Sequence, residues 1–98
     1  MALEFEQLRM HTTVHRIRPL PSGEEYEAKV TNVNDHDENE IPLPKDHSVW
    51  GLAWGKSYKE AEEKAVNRAI NLLKSLGVEV GEIQKSTITH FLSKRQNV

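Results

Sequence analysis

Cysteine is absent from the 98 residues, which excludes a disulfide scaffold, a thiolate zinc site and a thiol nucleophile, and permits a reducing compartment. Glycine is sparse at five residues, none of them in a phosphate-cradling run after a strand, and no serine stands beside a histidine in a nucleophile elbow. With no catalytic signature and no cofactor motif, a non-catalytic protein is the expectation. No apolar run reaches the length of a membrane span. Residues 1–10 carry Glu4 and Glu6 where a secretory signal needs an apolar stretch, so a cytoplasmic location is expected. An excess of positive charge is missing too. Thirteen Lys and Arg against fifteen Asp and Glu leave a net charge of −2, so nucleic acid could be held only by a local basic patch.

What the chain does have is one strong helical signal. Ala61, Ala65, Ala69, Leu73 and Leu76 fall on a single stripe, and Val66, Ile70 and Leu72 widen it to the apolar face of a helix packed on something large. Ser57 can cap the helix, Glu60 three residues on completes a capping box, and Gly77 supplies a left-handed stop. The three alanines predict a close approach between helix and partner. Just before the helix, residues 49–55 read as a strand, which gives a strand, a turn at Gly55-Lys56, and a helix.

Elsewhere the pattern is that of strands. Residues 1–11 fit either a short helix or an edge strand. Thr12, Thr13, Val14 and Ile17 suggest a strand over 12–18, closed by Pro19 and Pro21. Residues 21–24 have turn composition, and Tyr26, Ala28 and Val30 alternate with Glu27, Lys29 and Thr31, so the first two strands form a hairpin. Residues 32–47 lose all periodicity, acidic at the front and proline-stiffened at the rear, as in a functional loop or an insertion. The third strand resumes at Ser48, with Val49, Gly51 and Ala53 on one side and Trp50, Leu52 and Trp54 on the other. The small side suits the alanine stripe, which turns both tryptophans to the far face and requires that face to be covered. After Gly77, residues 78–80 read as a short strand. Ile88, Phe91 and Leu92 then have helical spacing, although Thr87-Ile88-Thr89 is also good strand sequence. A short strand followed by a short helix is the reading adopted.

Gly55-x-Ser57-x-x-Glu60-Ala61, after three strands and before Ala65, Ala69 and Leu72, resembles the entry signature of the HicB-like antitoxin family, G-x-T-x-x-E-A. The resemblance covers residues 12–80. It implies a three-stranded antiparallel sheet under one long helix, and a protein partner: such proteins bind and block a small ribonuclease toxin, and many carry a separate DNA-binding segment. The loop at 32–47 is longer than the family usually has, and few residues follow Val80. The same stretch is also similar to the last strand and helix of a double-stranded RNA-binding domain, with Gly55, Ser57, Lys59, Ala61, Glu62, Ala65, Val66, Ala69 and Ile70 on that pattern. Here Tyr58 replaces the first lysine of the phosphate-gripping pair and Glu62 a third cation. Each loss removes a counterion-releasing phosphate contact.

Candidate sites follow from these readings. Trp50, Leu52 and Trp54 are the residues for a protein partner or a second copy, set against a plain role in the core. Lys56, Lys59, Lys64 and Arg68 are the nucleic-acid candidates, although Glu60 and Lys64 at helical spacing also describe a solvated, ion-paired face. Arg16, Arg18, Lys94 and Arg95 would add to a basic patch if the C-terminus returned beside the first strand. Asp35-x-Asp37-x-Asn39 with Asp46 imitates calcium-loop ligands, but Glu40 stands where the sharp turn needs glycine, and a solvated acidic loop is expected. His11, His15, His36, His47 and His90 are scattered, with His11 and His15 at a separation that shares a face in helix or strand; no metal site is assigned.

The sequence thus predicts one α+β domain over residues 1–98: an N-terminal segment at 1–11, a βββα core with a possible edge strand at 12–80, and a C-terminal segment at 81–98. The functional expectation is a protein-interaction module of the HicB-like kind, with a double-stranded RNA binder or a homo-oligomeric domain as alternatives.

Overall fold

Alternation of Leu8, Met10, Thr12 and Val14 with Gln7, Arg9, His11 and Thr13 sets the phase of the central strand, because the first set is buried and the second only partly so. The computed structural model describes residues 3–35 and 37–91. Those residues run β1 (Leu3–Arg16), β2 (Tyr26–Asp35), α1 (His47–Trp50), β3 (Leu52–Gly55), α2 (Tyr58–Ser75) and β4 (Val78–Phe91). The sheet order is β3-β2-β1-β4. β1 with β2 and β2 with β3 are antiparallel, whereas β4 lies parallel to β1 from the Leu3–Val78 pair to the Arg16–Phe91 pair. The fold is therefore α+β with one main helix, and its sheet is mixed and four-stranded rather than an antiparallel three-stranded one.

The hairpin and α2 form where the sequence places them. Leu20 and Glu24 close the turn, with Gly23 at φ 95° donating to the Leu20 carbonyl. Ser57 Oγ accepts from the Glu60 N–H at 3.1 Å, and Glu60 Oε1 accepts from the Lys56 N–H at 3.1 Å, one residue earlier than the usual box. Gly77 ends the helix at φ 83°. Ala61, Ala65 and Ala69 are 0–1% exposed and lie against the sheet, joined by Val66 and Leu73. Each buried side chain of Leu or Val size contributes on the order of 1.5–3 kcal/mol relative to exposure. Leu76, assigned to the buried stripe, is 57% exposed because the helix has ended by Ser75.

Four expectations are corrected. Residues 1–11, left between helix and strand, contribute residues 3–11 to β1. β2 continues past Thr31 to Asp35: the register shifts between His11 and Thr12, leaving Thr31 as an extra residue whose hydroxyl donates to the His11 carbonyl at 3.1 Å. That bulge reverses the phase, so Val30 and Val33 both face the core. The strand expected over 48–55 is instead a helical turn followed by β3. Asp46 caps the turn by accepting from the Ser48 N–H, and the Gly51 N–H returns to the His47 carbonyl. Finally, the short strand and short helix after Gly77 are one continuous strand, β4; Leu92 lies outside the described residues.

Candidate functional site

Phase decides which side chains share a surface. α2 covers the face carrying Leu8, Met10, Val14, Ala28, Val30 and Ala53. On β3 the burial alternates, so Ala53 and Gly55 meet the helix while Leu52 and Trp54 turn to the other face, half-buried. Trp54 Nε1 donates to Glu27 Oε2 at 3.1 Å from the paired position on β2. Across the same open face Gln7 donates to Glu82 at 2.8 Å and Arg9 to Gln84 at 3.2 Å. His11 and His15 lie on it in register with Ser86 and His90. Ile88, opposite Thr13 and 61% exposed, lies there too. Among the described residues no element covers this face, contrary to the expectation that it must be covered.

Trp50 does not belong to that surface. It ends α1, is 2% exposed, and its indole N–H donates to the Pro44 carbonyl. His47 meets its ring edge-on with centroids 5.1 Å apart. The proline segment after the acidic turn folds over it: the Ile41 N–H donates to the Val33 carbonyl at 2.8 Å, and Ile41 and Leu43 pack on the core. Trp50, Leu52 and Trp54 are therefore one core residue and two surface residues. The strand reading grouped all three because it missed the helical turn. A cleft of about 560 Å³ between this segment and β2 has Thr31, Asn32, Leu43 and His47 on its walls, with Trp50 behind.

The cationic candidates divide in the same way. Lys56 and Lys59 are exposed. Lys64 approaches Glu60 to 2.9 Å and Glu24 to 3.8 Å. Its hydrogen bond with Glu60 holds the Lys64 ammonium above the usual lysine range, and the same bond, with the Lys56 N–H second, holds the Glu60 carboxyl below the usual range. Arg68 donates to the Leu52 carbonyl at 2.9 Å and to the Ser48 carbonyl at 3.0 Å, tying α1 and β3 to α2. Two of the four are thus committed to partners inside the fold. Arg16 bonds Glu25 at 3.4 Å and Arg18 is exposed, while Lys94 and Arg95 lie outside the described residues.

The positions that depart from the RNA-binding pattern have internal roles. Glu62, its side chain 13% exposed, accepts from the Thr87 hydroxyl at 2.6 Å and lies 4.0 Å from Lys85 Nζ, with the Tyr58 hydroxyl at 3.5 Å. This polar cluster fastens α2 to β4 beyond the reach of the alanine stripe. In the acidic turn Asp35 Oδ1 accepts from the Asp37 and Asn39 N–H groups at 2.9 Å, and Glu38 is left-handed at φ 65°. The carboxylate thereby shapes the turn, and Asp46 does the same at α1, its pKa lowered chiefly by the Ser48 hydroxyl. Among the described residues no group of three or more His, Asp and Glu is placed to hold a metal ion. His36 lies outside them.

Sequence reasoning missed Arg9, Gln84 and Ile88 as members of a shared surface. The parallel pairing of β1 with β4, which brings them together, has no local signal. No helix among the described residues is long and apolar enough to cross a membrane. No protein-family model, curated protein or solved structure matches the chain.

Proposed function

We propose that the chain is a non-catalytic protein-interaction module of the HicB-like antitoxin kind, whose partner is a small basic ribonuclease toxin. The observation that carries this reading is the unit from Gly55 to Ala61. Three successive antiparallel strands lead into a glycine turn, a capped helix start and an alanine face, in the order that the resemblance implies. A sheet face that the described residues leave uncovered, bearing Leu52, Trp54 and Ile88, supports it, since half-buried aromatics ringed by polar groups are what protein partners anchor on. Trp54 is the anchor and Leu52 its neighbour; Trp50 supports them from within the fold. The RNA-binding alternative is weaker, because residues 3–16 form a strand where that domain needs a helix, and Lys64 and Arg68 are engaged.

The test is calorimetric titration of the chain with the small basic protein encoded beside it, paired with an assay of that protein's ribonuclease activity. The expected result is stoichiometric inhibition that Trp54→Ala weakens by about thirtyfold, the loss of one hot-spot residue worth about 2 kcal/mol. Inhibition absent at equimolar chain, or unchanged in Trp54→Ala, would refute the reading.

A further inference from the structure

We infer that Glu27 and Trp54 together receive one arginine side chain of the partner, its guanidinium stacked on the open part of the indole and bonded to the carboxylate. The inference rests on the reading that this sheet face meets a basic protein, and it names the group that the face grips.

Ion pairing shows which acids of the fold are already engaged. Glu24, Glu25, Asp35, Glu60 and Glu62 are half-buried like Glu27. Glu24 and Glu60 meet Lys64, Glu25 meets Arg16 and Glu62 meets Lys85, all within 4.0 Å. Asp35 is taken up by the N–H groups of its own turn. Glu27 differs: among the described residues its carboxylate meets only a neutral donor, the Trp54 indole N–H on Oε2. A carboxylate offers about four acceptor positions, so one such bond leaves Oε1 open and the negative charge unpaired. Partly withdrawn from water, that charge gains more from an arriving cation than a fully exposed one does.

The surroundings fix the direction of approach. Glu27 pairs with Trp54 on β3 and with His15 on β1, and Lys29 follows two residues along β2 on the same face. His15 and Lys29 therefore flank the carboxylate on two sides, and the lysine repels a cation there. β3 is the outermost strand, so a cation reaches Glu27 over Trp54. It then lies against an indole, the aromatic ring that attracts cations most strongly. Arginine suits this pair better than lysine. Its flat guanidinium stacks on the ring while N–H groups in the same plane reach the carboxylate, whereas an ammonium is a compact, strongly hydrated charge. The bond from Trp54 Nε1 to Glu27, 3.1 Å long, holds the two halves of the site together before anything binds, which lowers the ordering cost of binding.

The probe is a blocked Gly-Arg-Gly tripeptide, titrated into the full chain at low ionic strength and followed by nuclear magnetic resonance at the two indole N–H groups, which Trp54→Phe assigns. The expected result is a saturable shift at Trp54, none at the buried Trp50, and binding weaker by about threefold or more for Gly-Lys-Gly. Glu27→Gln keeps an oxygen for the indole N–H and removes the charge, so it should preserve the fold and raise the dissociation constant about tenfold. Glu63→Gln, which removes an exposed acid of α2, should leave that constant unchanged, and Lys29→Gln should lower it about twofold. No shift at Trp54, equal responses to the two peptides, or equal weakening by Glu27→Gln and Glu63→Gln would overturn the inference. The peptide titration needs no toxin, so its failure leaves the antitoxin reading to its own test. If the basic protein binds and Glu27→Gln does not weaken it, that reading stands and the arginine site falls.

Discussion

Gly55 is the residue on which the strand-to-helix junction closes, and Gly55→Ala should be among the most damaging single-methyl changes in the chain. A Cβ built there would stand 2.5 Å from the Ala61 nitrogen, 2.9 Å from the Glu60 carbonyl carbon and 3.0 Å from the Ala61 Cα. All three are backbone atoms, so no side-chain rotation relieves the clash. To reach an ordinary carbon contact of about 3.5 Å the first turn of α2 must retreat by about 1 Å. That retreat lifts Ala61 and Ala65, both 0% exposed, off the sheet and stretches the Ser57 cap. Overpacking of a well-filled site costs about 1–3 kcal/mol, and with rigid backbone on the far side the upper end applies, about 3 kcal/mol. In a domain of this size that lowers Tm by roughly 12–24 °C. The assay is urea unfolding followed by tryptophan fluorescence and, independently, by far-ultraviolet circular dichroism. Gly77→Ala is the internal control: nothing lies within 4 Å of its Cβ, but its φ of 83° is unfavourable for alanine, at about 1 kcal/mol. If Gly77→Ala costs as much as Gly55→Ala, close approach is not what holds glycine at position 55.

Two further predictions concern single groups. Thr12 is 2% exposed and its hydroxyl has no hydrogen-bond partner among the described residues, so Thr12→Val should raise stability by about 1 kcal/mol, read as a higher urea midpoint at unchanged slope; a loss of stability would mean that the hydroxyl is satisfied. The Glu60 carboxyl is held low by Lys64 and the Lys56 N–H, so the unfolded chain takes up its proton at higher pH than the folded one. The contribution of Glu60 is therefore complete above about pH 4.3 and is lost as pH falls through the lowered folded value. That of Lys64, whose pKa is raised, is complete below about pH 10.4 and is lost as pH climbs past it. Urea midpoints measured across the acid range should fall less steeply in Glu60→Gln than in wild type, and parallel slopes would remove Glu60 from the account.

Legibility in the sequence followed the range of the interactions involved. α2 could be read because its period, cap and stop are all local: Ser57, the alanine stripe and Gly77 lie within one stretch. The hairpin was equally local. β2 was read as ending at Thr31 because alternation fails there, and what fails is the phase, reversed by one bulged residue that a single strand does not reveal. β4 contains Gly81 and mixed signals at Thr87-Ile88-Thr89, and becomes one strand through parallel pairing with residues 75 positions earlier. The helical turn before β3 did have a signal, Asp46 capping Ser48 with Gly51 behind, and it was hidden by the apparent alternation of Trp50, Leu52 and Trp54. Consequently the candidate site was half legible: Leu52 and Trp54 share a face as read, and Trp50 does not.

The two tryptophans turn that distinction into a measurement that decides how any loss of partner binding is interpreted. Trp50 fills the space between α1 and the proline segment and bonds the Pro44 carbonyl, so Trp50→Ala opens a cavity and should cost about 3–5 kcal/mol. Trp54 lies half-buried on the open face with one hydrogen bond to Glu27, so Trp54→Ala forfeits that bond and the ring's partial burial but opens no enclosed cavity, at a cost of about 1–3 kcal/mol. A binding defect in Trp50→Ala can therefore arise from unfolding alone, whereas one in Trp54→Ala at nearly native stability locates the contact on the sheet. If instead the two substitutions destabilise equally, the open face is not free in solution, and the surface assigned to a partner is already occupied within the protein or by its own copy.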